Sequence, residues 1–503
     1  MTIIDEEELV ASAIVYPGNT EEVQKCVLWA NKFLIPVFPI SMGRNLGYGR
    51  AAPRVRGSVA LDLGRRRHAI LDINADDYTC LVEPGVSFYA LHQALCDRNL
   101  EQKMWVDTPD LGGGSIIGNT VDRGVGYIPY GDYWARHSGL EVVLPNGEVV
   151  RTGMGAMEGS NTWQTFPYGY GPYSDGMFSQ SNFGIVTKMG MTLMPNPGGH
   201  EGFIEIICPL RIAMILENVA QLRHITQTIA ARGHPRSKYY SGDGLIPPEA
   251  IHKAAAELPV GDCTWIYYGM SYGPEYIRKY KLDIIDNEFN KVKGCKRIDQ
   301  ATLPEDEYFW SRDRVATGIP GIQELSWVNW VPNGAHIAFS PIAPIRARDA
   351  VASYSLAQTR HYQLGIDRFP AFCVGLREMH LIVELIYDRA DAQKREDVLG
   401  CLRAMVDDAA RLGYGEYRTH LVLMDQVAGT YDWNDGALLK FNERMKDCLD
   451  PNGILAPGRC GIWPQRYRGL GWEMTGVKGE ASEGNGVGGD LEVQDAEEGV
   501  SER

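Results

Sequence analysis

The apolar positions of the amino-terminal region fall into short unbroken runs separated by one helical stripe. Ser12–Tyr16 reads as a strand, and Ile35–Ile40 as a second one. Between them Asn19, with Glu22 three residues on, has the spacing of a capping box. The residues that follow place Val23, Val27 and Ala30 on one helical face. The pattern predicts a β-α-β unit that runs into the glycine-rich loop Ser41-Met42-Gly43-Arg44-Asn45-Leu46-Gly47-Tyr48-Gly49. Strands Val59–Leu63 and Tyr78–Val82 and a helix from Ser87 bearing Leu91 and Leu95 lead to a second such loop, Asp110 to Asn119. After Pro195-Asn196-Pro197-Gly198-Gly199 the texture changes to longer helical stretches, such as Pro274–Lys291 and Arg346–Leu364, alternating with strands. Pro and Gly clustered in this way mark a domain boundary.

Size and charge narrow the class. A chain of 503 residues is too long for one core, and 44% hydrophobic with 22% charged residues is ordinary globular composition. A formal net charge of −15 argues against nucleic acid or an anionic membrane as partner. From Val477 to Arg503 eight acids face only Lys478 and Arg503. With almost no large apolar side chains there, the tail is expected to be disordered. Ten scattered cysteines show no CxxC pair and no metal-ligand spacing, as expected of reduced thiols in an intracellular, cytoplasmic protein without a metal. Met1 to Leu9 is acidic and unlike a signal peptide, no apolar run has membrane-span length, and Ser501-Glu502-Arg503 is not a peroxisomal signal.

The two loops carry the first chemical signal. Consecutive glycines let backbone N–H groups converge on an anion such as a pyrophosphate. Neither loop is a Walker sequence or a GxGxxG fingerprint, so each taken singly fits an ordinary turn. The pair Tyr417-Arg418 fits a surface cation on an aromatic stem, and His336, among apolar neighbours, fits a core histidine. Residue chemistry alone reaches a nucleotide-binding enzyme and no further.

Longer blocks resemble the vanillyl-alcohol oxidase and para-cresol methylhydroxylase family of FAD-linked oxidases, its vanillyl-alcohol and eugenol oxidases in particular. They are Ser41–Gly57, Asp107–Trp134, Phe166–Lys188, Asn333–Pro341, Gly415–Gln426 and Ala456–Pro464, within a similarity running from about Val10 to Trp472. The resemblance implies an α+β fold of two domains. A discontinuous FAD-binding domain would take residues 1–197 and 415–475, an α/β cap domain 198–414, and the acidic tail 476–503. It implies that Ser41, Gly43, Arg44, Asn45, Gly47, Ser115, Gly118, Asn119, Gly184, Ile185 and Val186 hold FAD and that His336 bonds to it covalently. Tyr48, Tyr417 and Arg418 match the family's phenolate-binding trio, and Asp110 the acid placed beside the flavin. Tyr127, Glu324, Trp327, Ala338, Ala371 and His380 fall where the family lines its substrate cavity. Ala338 and Ala371 replace a Phe and a Thr of the vanillyl-alcohol oxidases, which implies room for bulkier para substituents.

The implied activity is oxidation of para-substituted phenols, vanillyl alcohol and eugenol-like compounds among them, with oxygen reduced to hydrogen peroxide. Alternatives of the same standing are a dehydrogenase feeding a cytochrome or other acceptor, and a flavin-binding protein without turnover. The family has a further strand and a flavinylation-assisting histidine before the point where Met1 begins, so slow covalent attachment is expected. A segment after Gly199 that is shorter than in octameric relatives points to a homodimer.

Overall fold

The computed structural model describes residues 9–207 except 110, residues 230–233, 265–298 and 312–474 except 324, 326, 327, 329 and 330. The acidic tail lies outside the described residues.

The chain opens with a three-stranded parallel sheet of β1 (Ala13–Val15), β2 (Val37–Ile40) and β3 (Val59–Asp62) in the order β1-β3-β2. The first β-α-β unit therefore does not pair its own two strands. The buried strand β3 comes between them, and the exposed β1 is left at the edge. The helix Thr20–Phe33 starts where the capping pattern places it. The Asn19 side chain accepts from the Glu22 N–H at 2.8 Å, but the Glu22 carboxylate turns to the Gly18 N–H at 2.7 Å, not to that of Asn19. Its stripe of Val23, Val27 and Ala30 is fully buried.

An antiparallel sheet follows, with β4 (Ile70–Asn74), β5 (Thr79–Val82), β7 (His137–Val143), β8 (Val149–Arg151) and β9 (Ile185–Thr192) in the order β4-β5-β9-β7-β8. Strand β4 has no counterpart in the sequence reading, because its exposed Leu71 and Asp72 break any apolar run. The pair β6 (Met104–Trp105) and β10 (Met194–Pro195) closes this half.

The third sheet has eight strands and spans the middle of the chain. Its path is β14 (Lys296–Ile298), β11 (His200–Ile207), β13 (Trp265–Tyr272), β12 (Ala230–Gly233), β17 (Asp367–Val374), β18 (Glu378–Asp388) and β15 (Gly334–Phe339), with β16 (Ile342–Pro344) also on β18. Strand periodicity gives this sheet two unlike faces. On β18, Met379, Leu381, Val383 and Leu385 are buried against helices Ala347–Leu364 and Ala392–Arg411. The alternate residues His380, Ile382 and Glu384 face the other way. On β15 the core takes Ile337 and Phe339, and on β17 it takes Phe372, which leaves His336 and Ala371 for the opposite side.

The carboxyl-terminal segment, from Gly415 onward, returns to the first half of the chain. Val37 forms a parallel bridge with Leu455. Lys446 and Asp450, both without solvent exposure, form an ion pair of 2.7 Å. Lys446 also donates to the carbonyls of Asn182 and Leu455, and Asp450 accepts from the N–H groups of Ile454 and Leu455. Burial lowers the Lys446 pKa against the pull of Asp450. Removing one member of such a pair strands the other charge in a low dielectric. Asp450→Ala is expected to destabilise the holoenzyme by about 3–5 kcal/mol in denaturant unfolding; a loss under about 1 kcal/mol would show that the pair holds little.

Candidate functional site

A cavity of about 350 Å³ lies where the open face of the eight-stranded sheet meets the two glycine-rich loops. That is the size of a pocket for one compact organic group. Its walls come from segments far apart in sequence, each delivered by the architecture above. Strands β15, β17 and β18 supply His336, Ala371, Ile382 and Glu384. The loop after β2 supplies Ser41, Gly43, Arg44, Asn45 and Tyr48. The helix Ile116–Val121 and its caps supply Ser115, Gly118, Asn119 and Asp122. The start of β9 adds Gly184, Ile185 and Val186, and the carboxyl-terminal segment adds Tyr417, Arg418 and Arg459. Tyr127 and Gln180 complete the circle.

The loops fit the diphosphate end of a dinucleotide. Ser115 caps the helix Ile116–Val121 by accepting from the Gly118 N–H at 3.0 Å. A Cβ at Gly118 would stand 2.3 Å from the Ser41 hydroxyl, so the two loops touch only because Gly118 has no side chain. Gly47 does not line the cavity, yet it is equally constrained. It has φ +77°, and a Cβ there would stand 3.0 Å from the His336 ring, which packs on its backbone. Nδ1 of His336 bonds to the Glu384 carboxylate at 2.8 Å. An ionised carboxylate can only accept, so Nδ1 donates in this contact, and in the neutral ring the lone pair falls on Nε2.

At the other end stands a half-buried cation. The Arg418 guanidinium carbon lies 4.3 Å from the centroid of the Tyr48 ring, within cation–π distance. Nη1 reaches Asn119 Oδ1 at 3.4 Å, while Nε is buried with no partner among the described residues. Burial opposes the Arg418 charge, while a side-chain hydrogen bond with Tyr48 and the Asp122 carboxylate favour it, and the guanidinium stays charged. Burial also raises the pKa of Tyr48 and of Tyr417, against the pull of Arg418, so both phenols stay protonated and can donate. Two hydroxyl donors and a guanidinium in one cavity form a site for an oxyanion.

Other positions stand apart from this arrangement. His380 is outside the cavity wall, its ring packed edge-on against Tyr417 with centroids 4.9 Å apart, and burial lowers its pKa. Ala338 does not line the cavity either; it is buried on the His336 face of β15, in register with Glu384. Asp110, Glu324 and Trp327 lie outside the described residues.

Several wall residues were not singled out in the sequence, Glu384, Arg459, Asp122 and Gln180 among them. Glu384 sits on the polar face of an alternating strand, a signal that was available. Arg459 pairs with Asp122, which also accepts from Asn45 at 3.3 Å, and Gln180 bridges two segments; only folding brings these together. No group of three or more candidate metal ligands occurs among the described residues.

Comparison with known proteins places the chain among FAD-linked proteins. Residues 11–153 match the model of an FAD binding domain, and residues 360–460 that of the FAD linked oxidases, C-terminal domain. The chain is 34% identical to the 4-cresol dehydrogenase [hydroxylating] flavoprotein subunit of Pseudomonas putida, over 90% of this chain and 88% of that protein. It is 41% identical to the 1'-carboxy-chondrochloren decarboxylase of Chondromyces crocatus, over 90% and 91%. The 4-ethylphenol oxidase from Gulosibacter chungangensis, solved as an isoeugenol complex, superposes with a TM-score of 0.89 at 37% identity, covering 93% of this chain and 92% of that one.

Glu416, next to Tyr417, yields a pH prediction. Both its oxygens share one donor, the Ser340 N–H at 2.9 and 3.0 Å, and burial raises its pKa from 4.5 to about 8. The folded state then holds a proton that the unfolded state releases. The resulting stability is complete below about pH 4.5 and declines by about 1.4 kcal/mol per unit as pH rises toward 8. Asp107 and Glu205 shift the same way and add to the slope. Glu416→Gln should make the decline between pH 5 and 8 shallower in denaturant titrations; an unchanged slope would mean that Glu416 is ionised in the fold.

Proposed function

The chain belongs to the vanillyl-alcohol oxidase and para-cresol methylhydroxylase family of FAD-linked oxidases, and within it we propose an oxidase of para-substituted phenols. The observation that carries this reading is the half-buried Arg418 guanidinium facing the cavity with Tyr48 and Tyr417 beside it. A phenol ionises near pH ~10, so a site that works on it at neutral pH must favour the anion by several units. A fixed, permanently charged guanidinium with two hydroxyl donors does so. The phenolate pushes electron density through the ring and a hydride leaves the para benzylic carbon, giving a para-quinone methide. Bound FAD supplies the hydride acceptor. Water addition to the quinone methide, or loss of a hydroxyl proton from a benzylic alcohol, completes the reaction. Asp110 is the base proposed for that proton transfer.

His336 is proposed to carry FAD covalently. Its lone pair on Nε2 is set by Glu384, and its ring is held against Gly47. Likeness to a 4-ethylphenol oxidase supports oxygen as the acceptor, with hydrogen peroxide as co-product. Likeness to the 4-cresol dehydrogenase subunit supports a second reading, in which electrons pass to another acceptor. A homodimer taking small phenols, without nucleic acid or membrane, completes the proposal.

Anaerobic addition of 4-ethylphenol, eugenol or vanillyl alcohol should bleach the flavin band, and air should restore it with release of peroxide. Bleaching that oxygen reverses only slowly would favour the second reading, and no bleaching by any phenol would end the first. Arg418→Ala should slow bleaching by about 10²–10³-fold, the scale seen when an oxyanion donor is removed; a loss under about threefold would mean that the anion site lies elsewhere. Denaturing electrophoresis should show flavin fluorescence in the wild-type band and none in His336→Ala. A fluorescent His336→Ala band would place the linkage on another residue.

A further inference from the structure

Gln180 has φ +47°, a left-handed conformation that residues other than glycine adopt at a cost and keep only where their surroundings enforce it. Its contacts explain what holds it there. The backbone N–H donates to the Val121 carbonyl at 2.8 Å. The side-chain Nε2 donates to the Tyr417 carbonyl at 2.9 Å and to the Asp122 carbonyl at 3.3 Å. Two residues on, Asn182 Nδ2 donates to the carbonyls of Ala456 and Ile462, both at 3.0 Å. The short loop Ser179–Asn182 thus clasps three segments: the end of the helix before Asp122, the stretch bearing Tyr417 and Arg418, and the loop bearing Arg459. Each segment brings one charged group to the cavity wall.

Arg418 is tied through its side chain to Tyr48, by ring contact and hydrogen bond, and by a long 3.4 Å bond to Asn119, while its Nε has no partner among the described residues. Its backbone is the other determinant of where the guanidinium stands, and the Tyr417 carbonyl is the point where Gln180 holds that backbone. A glycine at position 180 would remove the strain, but it would also remove the amide.

We propose that Gln180 is a positioning residue for the anion cradle: its strained backbone aims a side-chain amide that fixes the Tyr417-Arg418 segment against Asp122. The inference rests on the phenol reading above and adds the element that sets how strongly the bound phenol is ionised. It makes no contact with the reacting carbon, so its effect should appear as a change in phenol ionisation.

The experiment uses FAD-loaded wild type, Gln180→Gly and Gln180→Ala, with 4-hydroxybenzaldehyde as the probe and the ultraviolet band of its anion as the readout across pH. Wild type should hold the probe as the anion at least a full pH unit below its titration in free solution. Both variants should raise the bound-state pKa by about one unit, a tenfold weaker preference for the anion, with FAD content unchanged. Glycine adopts a positive φ without strain, so Gln180→Gly loses the amide's hydrogen bonds but adds no backbone strain, should still fold, and decides the test even if the alanine variant folds poorly. An unchanged bound-state pKa in Gln180→Gly overturns the positioning role and leaves the phenol reading intact. A wild-type protein that binds the probe only in its neutral form overturns the phenol reading itself.

Discussion

A guanidinium held at a cavity wall, half withdrawn from water, governs this structure. A cation in a low-dielectric cavity is disfavoured by several kcal/mol unless nearby groups stabilise it. Around Arg418 the protein offers the face of the Tyr48 ring, a long bond to Asn119 and the more distant Asp122, with one N–H left unpartnered among the described residues. These groups hold the charge, and an anionic ligand oxygen would add a partner for the remaining N–H. The neighbouring tyrosines, kept protonated by burial, provide the hydroxyl donors for the same oxygen. The site therefore discriminates by charge before shape.

Two devices build that site from distant pieces. Alternation along β15, β17 and β18 sends one set of side chains into a helix-backed core, and the other set, His336, Ala371, Ile382 and Glu384, into the cavity. A one-residue slip of register would exchange the two sets, so core packing and site geometry are one constraint. The carboxyl-terminal segment is the second device. The buried Lys446–Asp450 pair fixes the turn before Leu455, and Asn182 and Gln180 bind the segments bearing Arg459 and Arg418 to the amino-terminal half. The glycines at 47 and 118 then permit approaches that any side chain would block.

Much of this was legible in the sequence, for reasons that differ by element. The helix from Thr20 and that from Phe88 begin at side chains that cap them, Asn19 and Ser87, and their apolar stripes are local facts of the chain. The order β1-β3-β2 was not legible, because which strand lies in the middle depends on burial across the whole sheet. Tyr48, Tyr417 and Arg418 could be named together only through resemblance, since by residue chemistry alone a Tyr-Arg pair fits a surface contact. Arg459, Asp122 and Gln180 were missed because each acquires its role from a partner far away in sequence. Glu384 was the avoidable omission. It stands on the polar face of a strand whose alternating Met, Leu, Val and Leu were plain to read.

The most direct measurement is a crystal structure of the FAD-loaded protein with bound isoeugenol. The expected map shows the phenolic oxygen within hydrogen-bond reach of Arg418, Tyr48 and Tyr417, with the propenyl group directed away from them. A ligand bound the other way round, with its phenolic oxygen in solvent or against Glu384, would contradict a site organised around a half-buried cation.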